Sequence, residues 1–248
     1  MKKIKFIYAI ALALFLVQGC KKDLLVVENE NQPDFDKVFS NGVALENLAS
    51  GLYVTLYNGE HSYGSVSMML SVAADNVSCS WGNAGMRDNS WEPRNNSWNN
   101  APTYSYNGNT NGLWNNMYSA INTASDVLKA VGTGVNIGAN GADNARTKAF
   151  CRFAQGVGYG NLAFVFDKAF IVDEKTVIAE AALSSASAYT KVAEAALVYL
   201  DEAAALATAN TFTIPKGWMG ADKDYSNVEF KKLINTYAAR ILAYTPRN

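Results

Sequence analysis

The stretch Ala149-Phe150-Cys151-Arg152-Phe153-Ala154-Gln155-Gly156-Val157-Gly158-Tyr159-Gly160-Asn161-Leu162-Ala163-Phe164-Val165-Phe166 decides the fold. Ala149, Phe153, Val157 and Leu162 recur close to helical spacing, and Phe150, Ala154 and Phe166 widen the apolar face. The pattern predicts a helix over about Ala142–Phe166 turned toward a partner. Gly156, Gly158 and Gly160 are poor helix formers, each costing about 1 kcal/mol against alanine. A helix that carries three of them is expected to use the missing side chains for close helix packing.

On the N-terminal side, Leu113, Met117, Ile121, Ala124 and Leu128 form one stripe of a helix predicted over Leu113–Val131. Gly132-Thr133-Gly134 stops it, and the Gly/Asn-rich stretch to Gly141 reads as a loop. On the C-terminal side, Val192, Ala196, Tyr199, Leu200, Ala203 and Leu206 lie inward on a helix over Ser187–Ala209, with Glu194, Asp201 and Glu202 facing solvent. A further helix is expected over Asn227–Ala243, ending before Pro246. The first helix should start near Asp36 or Ser40, with Val43, Leu45, Leu48, Leu52 and Leu56 recurring mostly at steps of three and four. Gly51 interrupts it and is expected where a neighbouring helix comes close. Val66–Val77 is ambiguous between helix and extended chain. Several amphipathic helices and no clear strand predict a mainly all-α fold of tetratricopeptide-like helical hairpins with long irregular loops, although no clean 34-residue repeat signature is present.

One segment breaks this pattern. Between Asp75 and Gly112 ten asparagines stand among Trp81, Trp91, Trp98, Tyr104 and Tyr106, with Pro93 and Pro102, and no helical or strand period survives. A structureless stretch of this length is uncommon in a compact domain unless it has a function. Sugar rings have apolar C–H faces and a rim of hydroxyls, so a carbohydrate site needs flat aromatic surfaces together with short amides or guanidinium groups. Trp81, Trp91, Trp98 and Tyr104 with Arg94 and Asn96 are the candidate ligand-binding residues on that basis. The opposing reading makes the same aromatics plugs that pin the loop to the helical body.

Composition excludes other classes. Of the 248 residues 49% are apolar, enough for a sizeable core, and 21 basic against 22 acidic residues leave no positive excess to follow a nucleic acid. A single histidine, His61, and three cysteines are too few for a structural zinc site of the Cys/His kind. Asp173-Glu174 and Asp222–Asp224 lack calcium-loop spacing and read as charged turns. No catalytic residue, metal or cofactor is assigned. Asp75, Asp88 and Glu92 are the acids of the aromatic segment, and a glycosidase pair among them is a minor alternative. His61 lacks the motif of a general base.

Lys2, Lys3 and Lys5 precede an apolar run of twelve residues, Phe6 to Val17. That is the length of a signal-peptide core and short of the roughly 20 residues that span a bilayer. Val17-Gln18-Gly19-Cys20 closes the run, and a small residue before cysteine at that place looks like a lipobox. Residues 1–19 are read as a lipoprotein signal peptide and Cys20 as the acylated residue. Residues 20–38 then form the anchor and tether, and 39–248 the helical body with its insertion at about 75–112. Removal of the three lysines leaves 18 basic against 22 acidic residues, a charge of −4. Two or three acyl chains hold such a protein firmly at the membrane, at ~0.8 kcal/mol per buried CH2. Lys21 and Lys22 favour the outer membrane over inner-membrane retention. Cys79 and Cys151 are read as separate small residues rather than a disulfide.

Taken together these features resemble the SusD/RagB family of outer-membrane lipoproteins. Cys20-Lys21-Lys22-Asp23 is similar to its N-terminus. Leu45-Glu46-Asn47-Leu48-Ala49-Ser50-Gly51-Leu52-Tyr53 resembles its Ala-x-Gly-x-Tyr helix end, and Trp114-Asn115-Asn116-Met117-Tyr118-Ser119-Ala120-Ile121 its W-x-x-x-Y-x-x-I segment. Ala149–Phe166 is similar to its Ala-rich F-L-R-A-x-x-Y-x-x-L helix, followed here by Asp167-Lys168-Ala169-Phe170 in place of the usual Gly and Pro. Ser125 stands where the family often has Asn. Tyr199-Leu200-Asp201-Glu202-Ala203 and Tyr237-Ala238-Ala239-Arg240 resemble the next two helices.

The resemblance implies a lipid-anchored, cell-surface protein that captures a glycan without chemistry and delivers it to a TonB-dependent outer-membrane transporter. A peptide-binding or structural lipoprotein of the same fold is the alternative. Relatives of this family run to roughly twice this length, so the chain is expected to be the N-terminal portion of the array. Metabolic labelling with an alkyne fatty acid is expected to mark the wild-type protein and leave Cys20→Ala unlabelled and released from the membrane fraction.

Overall fold

A computed structural model describes residues 35–78, 85–90, 99, 101–176 and 186–246. The chain divides by contact into Met1–Lys37 and Val38–Asn248. The signal peptide, Cys20, the tether up to residue 34 and Cys79 lie outside the described residues.

The first helices are short. α1 (Phe35–Phe39) is followed by α2 (Gly42–Ser50), which starts where the Asn41 side chain accepts from the backbone N–H of Val43 at 2.9 Å and Ala44 at 3.3 Å. α3 (Leu52–His61) continues almost directly from α2, and α4 (Val66–Ala73) resolves the ambiguous apolar segment as helix. After α5 (Met86–Ser90) come the two long central helices, α6 (Gly108–Gly132) and α7 (Asn144–Val165). Their connection turns at Gly134, Gly138 and Gly141, all at positive φ, where an L side chain is strained. The Asn144 side chain fixes the turn by accepting from the Ile137 N–H at 2.8 Å.

Beyond α7 the chain is extended through β1 (Lys168–Ala169), which pairs antiparallel with β2 (Ser187–Ala188) just before α8 (Tyr189–Ala209). A second antiparallel pair joins β3 (Thr213–Ile214) to β4 (Tyr225–Ser226), with α9 (Lys216–Met219) between them. α10 (Asn227–Tyr244) opens on a capping box in which Ser226 and Glu229 satisfy each other's backbone N–H groups. The mainly all-α expectation holds. The two-residue strands were invisible in the sequence because a pair of residues carries no period. β2 also takes Ser187 and Ala188 from the predicted start of α8.

α7 occupies the centre. Every residue from Ala149 to Ala163 except Arg152 is buried, and α7 packs on α6, α8, α10, α2 and α3. Its glycines face different neighbours: a Cβ on Gly156 would lie 2.6 Å from Leu200 of α8, on Gly160 2.6 Å from Ile241 of α10, and on Gly158 3.0 Å from Ile121 of α6. The expectation for Gly51 is corrected. It is exposed at the bend between α2 and α3 with no other helix near, and the close approach belongs to Gly59, whose Cβ would meet Met117 and Asn116 of α6 at 2.7 and 2.8 Å. α6 likewise starts five residues before the predicted Leu113, because its Asn/Gly-rich first turns lie mostly at the surface and show no apolar stripe.

Gly156→Ala is expected to lower stability by about 1–3 kcal/mol through overpacking against Leu200 and the Ala196 carbonyl. Gly51→Ala, at a helical φ of −84° in open surroundings, should raise it by about 0.5–1 kcal/mol. Urea midpoints of the two variants, moving in opposite directions from wild type, check both.

Candidate functional site

One construction lies where the chain leaves α7, and a second lies just before α6 begins. In the first, the chain leaves α7 at Phe166 in extended conformation (φ −109°, ψ 144°) and runs as a strap across α6 and α7. Tyr118 of α6 accepts from the Phe170 N–H at 2.6 Å and donates to the Phe170 carbonyl at 2.8 Å. Tyr159 of α7 does the same for Val172, accepting from its N–H at 2.8 Å and donating to its carbonyl. Two phenols thus stand in for the missing edge of a sheet, satisfying alternate residues of a strand that has no partner there. Burial pushes the Tyr118 hydroxyl up to about 12, and the Phe170 backbone opposes that shift. Trp114 closes the strap from the side, with its ring 4.8 Å from Tyr118, 4.9 Å from Phe166 and 6.4 Å from Phe170.

The strap ends at a charge cluster. Arg152 donates through Nε to Glu202 at 2.6 Å, through both terminal nitrogens to Glu174 at 2.9 and 2.7 Å, and to Gln155 at 2.8 Å. Its guanidinium lies 5.4 Å from the Tyr199 ring. Gln155 passes the network on to the buried Ser125 at 2.9 Å, whose hydroxyl donates to the Ile121 carbonyl at 2.8 Å. Glu174, expected as part of a charged turn, is therefore the half-buried partner of Arg152. Burial pushes its carboxyl up, and the hydrogen bonds and charge of Arg152 outweigh that and hold it below the usual carboxylate range. Asp173 remains a turn residue, accepting from the Lys175 N–H and the Thr176 hydroxyl.

The second construction is the mount of the Asn/aromatic segment. Met86 of α5 packs with Met69 and Val72 of α4 in a small separate apolar cluster. Tyr104 donates to Asp88 of α5 at 2.8 Å and lies 5.7 Å from the Tyr106 ring, edge to face. Burial, then the hydrogen bond and charge of Asp88, push the Tyr104 hydroxyl up to about 12. Asn89 donates to the Gly85 carbonyl, Asn107 to the Pro102 carbonyl, and the Asn99 side chain accepts from the Ala101 N–H, so several asparagines serve as turn residues.

Of the six candidate ligand residues, Tyr104 is half-buried at this mount. Trp81, Trp91, Arg94, Asn96 and Trp98 lie outside the described residues, as does Glu92. Asp88 is committed to Tyr104, and Asp75 occupies a turn at positive φ after α4. His61 ends α3, beside Tyr57 and 3.8 Å from Glu60. Cys151 is a free, fully buried thiol. Among the described residues no group of three or more His, Cys, Asp or Glu could hold a metal ion, and no helix is long and apolar enough to cross a membrane. Sequence reasoning did not find the paired roles of Tyr118 and Tyr159. Tyr118 flanks the α6 stripe and Tyr159 was read only as part of a family-like motif, and their partners are backbone groups 52 and 13 residues away, which no local pattern encodes.

No family model matches the chain, and no curated protein matches it. A solved structure does: a SusD-like carbohydrate binding protein from Bacteroides vulgatus aligns over 83% of this chain with a TM-score of 0.55 and 18% identity. The fold of this chain is therefore SusD-like. The chain spans 42% of the length of that protein.

Arg152→Ala leaves the half-buried Glu174 without its cation, and is expected to cost about 1–3 kcal/mol by urea denaturation. Because Glu174 is depressed in the folded state, its contribution is present above the ordinary carboxylate range and is lost as pH falls through its lower folded value. The stability difference between wild type and Arg152→Ala should accordingly shrink in acid, which urea melts at neutral pH and near pH 3 will read.

Proposed function

We propose that this chain captures a glycan at the outer membrane without chemical conversion and passes it to a TonB-dependent transporter, held by acyl groups on Cys20. The observation that carries the reading is the SusD-like fold, aligned with a carbohydrate binding protein, bearing a long Asn- and Trp-rich insertion between α4 and α6. The insertion leaves the body at α5, whose Met86 and Asp88 hold one side of it.

In this reading Trp81, Trp91 and Trp98 offer stacking faces to sugar C–H groups, and Arg94 and Asn96 donate to ring hydroxyls. Tyr104 acts at the base of the segment, where its bond to Asp88 fixes the returning chain. Each stacked ring contributes about 0.5–1.5 kcal/mol beyond its buried area, and micromolar affinity requires about 8 kcal/mol, so several rings must act together. Binding of this kind needs no metal or cofactor.

Isothermal titration of the full chain in detergent against neutral oligosaccharides and oligopeptides tests the reading. At least one glycan is expected to bind, and Trp91→Ala and Trp98→Ala each to weaken it about fivefold to tenfold. Peptides binding while every glycan fails would reject glycan capture in favour of a peptide-binding lipoprotein of the same fold.

A further inference from the structure

A groove of about 310 Å³ opens between the end of α3 and the outward face of α4, away from the strap and the Arg152 cluster. That volume lies at the small end of the range for ligand clefts, ~300–1,000 Å³, and suits a single sugar unit. α3 stops at His61, where Ser62 turns extended (φ −65°, ψ 159°), and the Ser65 N–H closes the turn on the Ser62 carbonyl at 2.9 Å. Gly64 within it takes φ +73°. The turn projects Tyr63 at one side of the groove with 74% of its surface exposed.

The facing wall is made by Ser67 and Ser71, one turn apart on α4. A hydroxyl inside a helix commonly turns back to the carbonyl four residues earlier. Thr55, Ser125, Thr208 and Thr236 do so, at 3.2, 2.8, 2.7 and 3.0 Å. Ser67 and Ser71 make no such bond and have no partner among the described residues, so both hydroxyls are open to a ligand. His61, half-exposed and braced by the Tyr57 ring at 4.8 Å, adds an imidazole to the same rim. Among the described residues no Lys, Arg, Asp or Glu lines the groove. An anionic or cationic ligand finds no fixed counter-charge there and would lose hydration uncompensated, whereas neutral hydroxyls match the lining.

We propose that this groove is a sugar subsite that seats one neutral unit of the captured glycan. The C–H face of the ring lies on Tyr63, and its hydroxyls meet Ser67, Ser71 and His61. The proposal rests on the glycan-capture reading and extends it to a position outside the tryptophan-bearing segment. It also names the substrate class, a neutral sugar unit in preference to a uronic acid or a sulfated one.

The test uses the full chain in detergent, titrated calorimetrically with neutral hexasaccharides derived from starch, xylan, mannan and cellulose. With the hexasaccharide that binds, Tyr63→Ala and the double variant Ser67→Ala/Ser71→Ala are each expected to raise Kd about threefold to tenfold. Tyr63→Phe should keep the wild-type Kd, because the face and not the hydroxyl is used. The altered residues are at the surface, and unchanged thermal melts will show that the fold is intact. Wild-type Kd in both Tyr63→Ala and the double serine variant overturns the subsite and leaves glycan capture standing. Failure of wild type to bind any glycan overturns both.

Discussion

The whole structure depends on burying α7 on nearly all sides. A helix of 22 residues that is surrounded by neighbours needs somewhere for its partners to come near, and large side chains around its full circumference would hold them at arm's length. Gly156 and Gly160, one turn apart, bring α8 and α10 in on adjacent faces, and Gly158 brings in α6 from the other side. The helical propensity lost at three glycines is of order 3 kcal/mol. Packing at the same place offsets it: Phe150, Phe153, Tyr159 and Leu162 are completely buried, and burying one such side chain contributes about 1.5–3 kcal/mol. The aromatic half of the core grows from Phe150 and Phe153, which meet Trp218, Phe230 and Tyr237 mostly edge to face at 5.0 to 5.9 Å. α10 and the β3–β4 turn are thereby tied to the centre and not merely appended to α8.

A central helix of this kind creates a problem where it ends. The chain leaving α7 must cross the surface of its neighbours with its backbone half-buried, and backbone groups there need partners. Tyr118 and Tyr159 supply them, each phenol serving the N–H and the carbonyl of one residue, and the two residues served lie two apart along the strap. Phenylalanine in either place would fill the same space and leave a donor and an acceptor unpaired. Arg152 completes the arrangement. It is the one residue between Ala149 and Ala163 that escapes full burial, and four of its five N–H groups are committed to Gln155, Glu174 and Glu202. The cluster fastens the strap to α8, and through Gln155 and Ser125 it reaches α6.

These features differ in how far the sequence announces them. Amphipathic periods set the long helices to within a few residues, since Leu113, Met117 and Ile121 or Val192, Ala196 and Leu200 point one way only in a helix. The role of the α7 glycines was legible for the same reason: three glycines in an otherwise buried stripe have few other uses. Gly51 misled because its neighbours Leu48 and Leu52 continue the apolar pattern across a bend, and a bend at the surface leaves no mark in periodicity. The strap was not legible. Its partners are main-chain atoms, and a tyrosine on an inward stripe reads as core whether or not its hydroxyl is used. Glu174 was misjudged similarly, since an acid beside another acid in a short turn looks solvated until an arginine from another helix is brought to it. Of the candidate ligand residues, the chemical type was readable and the placement was not, because a segment without period fixes no direction for any side chain.

The aromatic segment and the helical body therefore obey different constraints. The body is specified by volume: small residues where helices approach, large ones where they do not. Among the described residues of the segment, Met86 packs against Met69 and Val72, and Tyr104 is bonded to Asp88. In the glycan-capture reading, recognition falls to the rings and amides of a segment whose described residues are fixed by a methionine cluster and the Tyr104–Asp88 bond.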